Sequence, residues 1–226
     1  MNIIAMASRK GGVGKSTLTA HLAAHANTLG GRCLVIDGDP QGSLSLWHSL
    51  RSDGQLRLRT AVRGIDCLLA VAMLEGYQWV FIDTPPTMWV VVQEAIRSAT
   101  LVVIPARPGF FDLAAARETV EVARKHCKPY ALVINAAPVK RDDRESPTVA
   151  QSRATLEKLG IPVWAGQISQ RAGFQLSLAA CASVTEFEPS SAAAAEIARL
   201  WSAIERSVEA INSAQAGARF GKKHAA

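Results

Sequence analysis

Nine residues near the amino terminus are the most informative stretch of the chain: Arg9-Lys10-Gly11-Gly12-Val13-Gly14-Lys15-Ser16-Thr17. An apolar, strand-like run precedes them and a segment with helical spacing follows. Because glycine backbones can close around an anion, we expect the N–H groups of this loop to surround phosphate oxygens. Lys15 is expected to reach the β- and γ-phosphates, and Ser16 to offer its hydroxyl to Mg²⁺. The stretch therefore predicts a nucleotide-binding loop whose ligand contacts come from Gly11, Gly12, Val13, Gly14, Lys15, Ser16 and Thr17.

The loop departs from the general phosphate-loop pattern at its entrance. That pattern has a glycine where this chain has Arg9, and the chain adds a second lysine, Lys10. The segment from Lys10 to Thr17 resembles the deviant Walker A motif of the ParA/MinD family of ATPases. The resemblance implies that Lys10 reaches across a dimer interface to the partner's phosphates. It therefore implies a homodimer with ATP at the interface, and Lys10 and Lys15 as catalytic residues.

Strand-like and helix-like segments alternate along the chain. The apolar runs predict strands over residues 2–7, 32–37, 79–82, 101–104, 130–134 and 162–168. The helical patterns cover residues 15–29, 43–50, 66–75, 88–99, 113–125, 147–159 and 173–182, and a long one from about 189 to 211. This alternation predicts an α/β fold, a mostly parallel twisted sheet with helices on both faces. We expect one domain over residues 1–213 and a basic, mobile tail over 214–226.

Composition limits the class of protein. The 226 residues are 49% hydrophobic and 19% charged, as in a folded globular domain, and the formal net charge of +6 favours an anionic partner. The four cysteines are far apart, with no C-x-x-C pair, so neither a zinc site nor a disulfide framework is indicated. No apolar run approaches the roughly 20 residues that span a bilayer. We expect reduced thiols and a cytoplasmic location.

Two acidic motifs follow predicted strands. The segment Asp37-Gly38-Asp39-Pro40 resembles the family's second motif, which implies that Asp39 orients the attacking water and Asp37 lies in the outer shell of the metal. The same residue types favour turns, so turn formation is the alternative. The apolar run 79–82 ends at Asp83 and is followed by Thr84-Pro85-Pro86, which resembles a Walker B strand and switch region. The resemblance implies that Asp83 supports Mg²⁺, together with Ser16 and Asp37.

Asn135 is the candidate for recognition of the nucleotide base. Asn135 follows the predicted strand 130–134, where family members often hold the adenine ring, and an amide can both donate to and accept from that ring. An ordinary turn or cap residue is the alternative. No Asn-Lys-x-Asp element for guanine follows a strand, so ATP is preferred. Asp112 is expected to be the N-cap of the helix that follows it.

The resemblance also implies non-specific DNA binding by the dimer. Candidates for that surface are Lys140, Arg141, Arg144, Arg153 and Arg171, with scattered solubilising charge as the alternative. The implied function is that of an ATP-switched, nucleoid-associated protein with weak intrinsic ATP hydrolysis. A ParB-like or other adaptor would stimulate hydrolysis and release the DNA. Such proteins serve plasmid or chromosome partition or the positioning of another cargo.

Three alternatives stay open at this point. A MinD-like membrane ATPase needs an amphipathic C-terminal segment, for which the tail offers only Phe220 as an apolar anchor. An electron-transfer ATPase resembling the nitrogenase iron protein needs cluster-ligating cysteines, and none of the four here has that context. A phosphate-transferring metabolic enzyme needs an acceptor pocket, which the sequence does not identify. Aromatic residues that could line one are expected to lie in the core: Trp47, Trp89, Phe110 and Phe111.

Overall fold

A computed structural model describes residues 1–52 and 54–223, without the side chains of residues 63 and 218–223. Its centre is a sheet of parallel strands in the order β3-β2-β4-β1-β5-β6. The strands are β1 (Asn2–Met6), β2 (Cys33–Asp37), β3 (Arg57–Thr60), β4 (Trp79–Asp83), β5 (Leu101–Ala106) and β6 (Tyr130–Ile134). Four of them, β1, β2, β4 and β5, have neighbours on both sides and are built almost wholly from apolar residues.

Helices cover both faces of the sheet. They are α1 (Lys15–Thr28), α2 (Ser43–Ser49), α3 (Ile65–Leu74), α4 (Trp89–Ser98), α5 (Phe110–Lys125), α6 (Pro147–Lys158), α7 (Ala172–Ala179), α8 (Val184–Phe187) and α9 (Ala192–Lys223). Alternate strand residues point to opposite faces, so one core contains Val35 and Phe81 with α1 and α9, and the other contains Ile36 and Ile82 with α3 to α6. The predicted α/β fold with a parallel sheet is confirmed.

Two strand predictions differ from the structure. Strand β3 was not expected, because its sequence Arg-Leu-Arg-Thr is polar and its residues are half-buried or exposed, as suits the edge of a sheet.

The predicted strand 162–168 is wrong. Only single bridges form there, between Leu132 and Val163 and between Ala137 and Ser169. The chain bends at residues 165–166, and Arg153 donates hydrogen bonds to the carbonyls of Trp164 and Gly166 at this bend.

The last helix is longer than expected. Helix α9 continues to Lys223, so residues 214–223 of the expected tail continue the last helix. The mobility of that segment stays a prediction, and residues 224–226 lie outside the described residues.

In the part of the chain that the structure describes, no helix combines the length and apolarity needed to cross a membrane.

The aromatic residues fall into three environments. Trp47 is buried in the core, as expected, and Trp89 is half-buried on the first turn of α4. Phe110 and Phe111 are 80% and 77% exposed at the start of α5, so their assignment to the core is wrong. They lie at the carboxyl edge of the sheet, one turn beyond the end of β5, where the chain leaves the core.

Candidate nucleotide-binding site

The glycine-rich loop connects β1 to α1 at the carboxyl edge of the sheet. Gly12 and Gly14 have positive φ angles of 73° and 93°, and Gly14 is the N-cap of α1. A Cβ atom on Gly14 would lie 2.2 Å from the Asn135 side-chain nitrogen, so Gly14 is required for both conformation and space. The loop therefore presents backbone N–H groups and the positive end of α1 to one point.

Lys15 and Ser16 begin α1 directly beneath this loop. The Lys15 ammonium donates to the carbonyl of Lys10 at 3.1 Å, so the side chain folds back along the loop. Its burial lowers the Lys15 pKa, against the attraction of Asp83 and Asp39. A phosphate ligand would supply the counter-charge that this buried ammonium needs.

Ser16 links the loop to strand β4. Its hydroxyl donates to Asp83 Oδ2 at 2.5 Å, while Asp83 Oδ1 is buried without a hydrogen-bond partner among the described residues. Burial raises the pKa of Asp83 to about 7, since a lone carboxylate is poorly solvated there. A hydroxyl beside a carboxylate with an unsatisfied oxygen is a donor set that suits Mg²⁺. These residues fit the predicted ion, which would be held by Ser16 and supported by Asp83.

The two acids after β2 have different surroundings. Asp37 is buried; it accepts hydrogen bonds from the Asp39 N–H at 3.1 Å and from the Ser45 N–H and hydroxyl at 2.9 and 2.7 Å. It therefore holds the turn into α2, and in the sheet it lies level with Asp83. Asp39 is half-buried and lines the cavity described next, with one oxygen accepting from the Gln41 N–H. The structure brings both acids beside the loop, and only Asp39 faces the cavity.

A cavity of about 760 Å³ opens from the loop. Its walls are residues 11–18 with Asp39, Pro86, Arg107, Asn135, Ala136, Ile168, Ser169, Gln170, Arg171, Ala172, Phe174 and Gln175. Asn135 is buried, and its side-chain nitrogen donates to the Val13 carbonyl at 2.6 Å, which braces the loop. Its predicted contact with adenine stays a prediction, and the amide nitrogen already has this partner within the protein.

The two basic residues at the loop entrance are tied to α5. The Lys10 ammonium binds Asp112 Oδ2 at 2.5 Å, while Arg9 pairs with Glu118 and lies over the Trp89 ring at 4.9 Å. The prediction that Asp112 is an N-cap is wrong, because α5 begins at Phe110 with Gly109 as its N-cap. Asp112 is the third residue of the helix, and its carboxylate holds Lys10.

The five candidate DNA-binding residues have different surroundings. Lys140, Arg141 and Arg144 are exposed on the loop after β6, where Asp142, Asp143 and Glu145 lie between or beside them.

The other two candidates have partners within the protein. Arg153 binds Glu145 and the carbonyls of Trp164 and Gly166. Arg171 lines the cavity and is paired with Glu196, so the structure places it beside the nucleotide loop rather than with the other four.

Sequence reasoning missed two residues of the site. Arg107, at the end of β5, is exposed and lines the cavity. Its position after an apolar strand is the signal that could have identified it, because ligands gather at the carboxyl ends of strands. Glu196 is buried in α9 behind Arg171, and its 25-residue separation from that arginine carries no local signal.

Comparisons with known proteins agree with this geometry. The family described as the CobQ/CobB/MinD/ParA nucleotide binding domain matches residues 4–180. The maintenance of carboxysome distribution protein A of Gloeobacter kilaueensis is 32% identical over 166 residues, covering 72% of this chain and 74% of the relative. The chromosome-partitioning ATPase Soj of Thermus thermophilus is 29% identical over 174 residues, covering 62% of this chain and 70% of the relative.

A solved structure supports the fold. The septum site-determining protein MinD of Pyrococcus horikoshii OT3, complexed with Mg-ADP, superposes with a TM-score of 0.73. The match covers 93% of this chain and 98% of that chain at 17% identity.

Proposed function

The chain belongs to the CobQ/CobB/MinD/ParA nucleotide-binding domain family, and we propose that it is an ATPase that dimerises on binding ATP and holds non-specific DNA as a dimer. A partner protein then stimulates hydrolysis and releases the DNA. The cycle would distribute a cargo over the nucleoid, such as a plasmid, a chromosome region or a protein assembly. Two relatives support the choice, since one is a chromosome-partitioning ATPase and the other maintains carboxysome distribution.

The observation that carries the proposal is the group of charged side chains around one glycine loop. Lys15 lies beneath the loop, Lys10 stands at its entrance, and the Ser16 hydroxyl meets Asp83 from the neighbouring strand. A triphosphate needs positive charge along its length and a metal between its outer phosphates. The arrangement provides the first directly and has the ligands for the second.

The residues divide the work of hydrolysis among them. Lys15 neutralises phosphate charge, and Lys10 leaves Asp112 to contact the nucleotide of the partner protomer. Asp39 lines the cavity and orients the attacking water, while Asp37 keeps the turn that carries Asp39 in place. When bound, Mg²⁺ supplies further neutralisation of the phosphate oxygens. We expect weak intrinsic turnover that depends on stimulation by the partner protein.

DNA binding is proposed for the exposed basic loop after β6. Arg141 and Arg144 are exposed there, whereas Lys140 lies 3.9 Å from Glu145, and phosphate contacts need positive charge rather than a particular base. The neighbouring Asp142 and Asp143 reduce the charge of this loop in the monomer, so binding would require the doubled contacts of a dimer.

The test measures retention on random-sequence duplex DNA and on anionic liposomes, with ATP, ADP or no nucleotide. The variants are Lys10→Ala and the double reversal Arg141→Glu with Arg144→Glu. Matched controls are Lys125→Ala and the double reversal Arg199→Glu with Arg206→Glu, all at exposed positions outside the cavity. Each retention is repeated at two salt concentrations, because phosphate contacts weaken as salt rises.

We expect DNA retention only with ATP, lost in Lys10→Ala and in the Arg141 and Arg144 reversal but kept in both controls. Retention that is equal with ATP, with ADP and without nucleotide would contradict the ATP switch. ATP-dependent binding to liposomes without binding to DNA would favour a MinD-like membrane ATPase instead. In cells, a fluorescent fusion is expected to colocalise with the nucleoid.

A further inference from the structure

We propose that Arg171, held in position by Glu196, contacts the nucleoside half of the bound nucleotide and sets its affinity. This inference rests on the proposed function in one respect, that the cavity binds ATP. It differs from the DNA contact that the sequence resemblance implies for Arg171. It also goes beyond the phosphate and metal contacts already described.

The cavity wall beyond the phosphate loop includes apolar residues that could contact the base of a nucleotide. Ile168, Ala172 and Phe174 contribute apolar surface, whereas phosphates require N–H donors and cations. Asn135 joins this wall to the loop through its bond to Val13. The triphosphate would bind at the loop, so the sugar and base would lie against this second wall.

The backbone that carries Arg171 is rigid. The Ile168 N–H donates to the Ile134 carbonyl at 3.0 Å, and the Gln170 N–H donates to the Ala137 carbonyl at 2.7 Å. These bonds extend from the end of β6, the same strand end that carries Asn135. Arg171 follows at once, as the N-cap of α7. Its position relative to the loop is therefore set by the sheet.

A buried carboxylate fixes the side chain. Arg171 Nε and Nη2 donate to Glu196 Oε1 at 3.1 and 3.0 Å, and Glu196 is only 4% exposed. The same carboxylate accepts from the Ser169 hydroxyl and N–H, both at 2.8 Å. A carboxylate with this many donors cannot move freely, so it holds the guanidinium in one orientation.

The guanidinium keeps donors for a ligand. Within the described part of the chain, Nη1 has no hydrogen-bond partner, and 28% of the Arg171 side chain is exposed at the cavity wall. Base nitrogens and ribose hydroxyls are acceptors of the kind that such a donor contacts. Arg171 would be a binding residue, and Glu196 a positioning residue that acts through it.

The experiment compares two ligands by calorimetry, ATP and inorganic tripolyphosphate. Both occupy the phosphate loop, and only ATP reaches the second wall. The variants are Arg171→Ala, Glu196→Gln and the double variant. Arg206→Ala and Glu209→Gln are matched controls, since both residues are exposed on α9 outside the cavity. Retained binding of tripolyphosphate shows that a variant is folded.

For Arg171→Ala we expect the Kd of ATP to rise about 10- to 100-fold, the usual effect of losing a charged hydrogen bond. The Kd of tripolyphosphate should stay within about twofold, because the phosphate loop itself is unchanged. Glu196→Gln should weaken ATP binding less, and should add nothing in the Arg171→Ala background. That last result separates positioning from a general structural role.

Two outcomes would overturn the inference: unchanged ATP affinity in Arg171→Ala, or equal weakening of both ligands. If ATP affinity is unchanged and DNA retention at saturating ATP is lost, Arg171 contacts DNA instead. Failure of the wild-type protein to bind ATP is a different result, which would contradict the proposed function itself.

Discussion

The Lys10 ammonium lies 2.5 Å from a carboxylate oxygen of Asp112, a residue of α5 that is far from the phosphate loop in sequence. The lysine that we propose to act on the partner's nucleotide is thus bound within its own protomer. Asp112 is mostly buried, and its second oxygen has no hydrogen-bond partner among the described residues. In the proposed dimer, Lys10 must therefore leave this ion pair to reach the partner's nucleotide.

Replacing Asp112 with alanine should strengthen ATP-dependent dimerisation. Loss of a partly exposed ion pair changes the equilibrium by about 0.5–1 kcal/mol, which corresponds to a several-fold lower dimer dissociation constant. Sedimentation with ATP measures it. Glu118→Gln is the matched control, because it removes the neighbouring pair with Arg9 and leaves Lys10 bound. Weaker dimerisation of a folded Asp112→Ala protein would show that the pair supports the dimer.

Replacing Asp39 with alanine should separate ATP binding from hydrolysis. Asp39 faces the cavity, and loss of a group that orients the attacking water typically costs roughly 100-fold or more in rate. ATP affinity and dimerisation should persist, and the ATP-bound dimer should last longer. Phosphate release and calorimetry are the two measurements.

Asp37→Asn is a useful comparison for that experiment. Asp37 holds the turn into α2 through three hydrogen bonds, so its loss should lower the melting temperature as well as the rate. A normal rate of ATP hydrolysis in Asp39→Ala would show that Asp39 does not orient the attacking water.

Alanine at Gly14 should be far more harmful than alanine at Gly12. Both positions have positive φ, which costs a non-glycine residue about 1–2 kcal/mol. A Cβ at Gly14 would also collide with Asn135 Nδ2, whereas a Cβ at Gly12 would have no atom within 4 Å. We expect Gly14→Ala to abolish ATP binding and Gly12→Ala only to weaken it. Equal effects in calorimetry and urea denaturation would mean that Asn135 moves aside without cost.

His21 should make the fold sensitive to mild acid. Burial lowers its pKa to about 4, and Nδ1 accepts the Val184 N–H at 3.0 Å, so the folded protein holds it neutral. The unfolded chain, with a pKa near 6.5, binds a proton first as pH falls. Stability is then complete above about pH 6.5 and declines as pH falls toward 4, by about 2 kcal/mol between pH 7.5 and 5.

Urea denaturation at the two pH values tests this. His21→Asn keeps an acceptor for the Val184 N–H and cannot take up the proton, so its loss of stability between pH 7.5 and 5 should be smaller. His126→Asn, at a half-buried position after α5, should behave like the wild type. An equal pH dependence in all three proteins would place the acid sensitivity elsewhere.

The phosphate loop, the acids beside it and the parallel sheet could all be predicted from the amino-acid sequence. These features depend on residues that are close in the chain: glycines before Lys15 and Ser16, and apolar runs that end in Asp37 and Asp83. Local patterns of this kind hold because backbone conformation and strand burial follow from neighbouring residues. The family could be identified from the same segments.

The long-range partners of the other charged residues became visible in the folded structure and could not be predicted. Nothing near Arg171 in sequence indicates that Glu196 on α9 holds it beside the cavity, and nothing near Lys10 indicates Asp112. Strand β3 lies at an edge of the sheet, and the bend at 165–166 is bonded to Arg153 of another element; neither relationship is visible in the local sequence. Ion pairs and edge strands depend on which distant parts of the chain become neighbours when the sheet folds. The local sequence pattern does not contain that information.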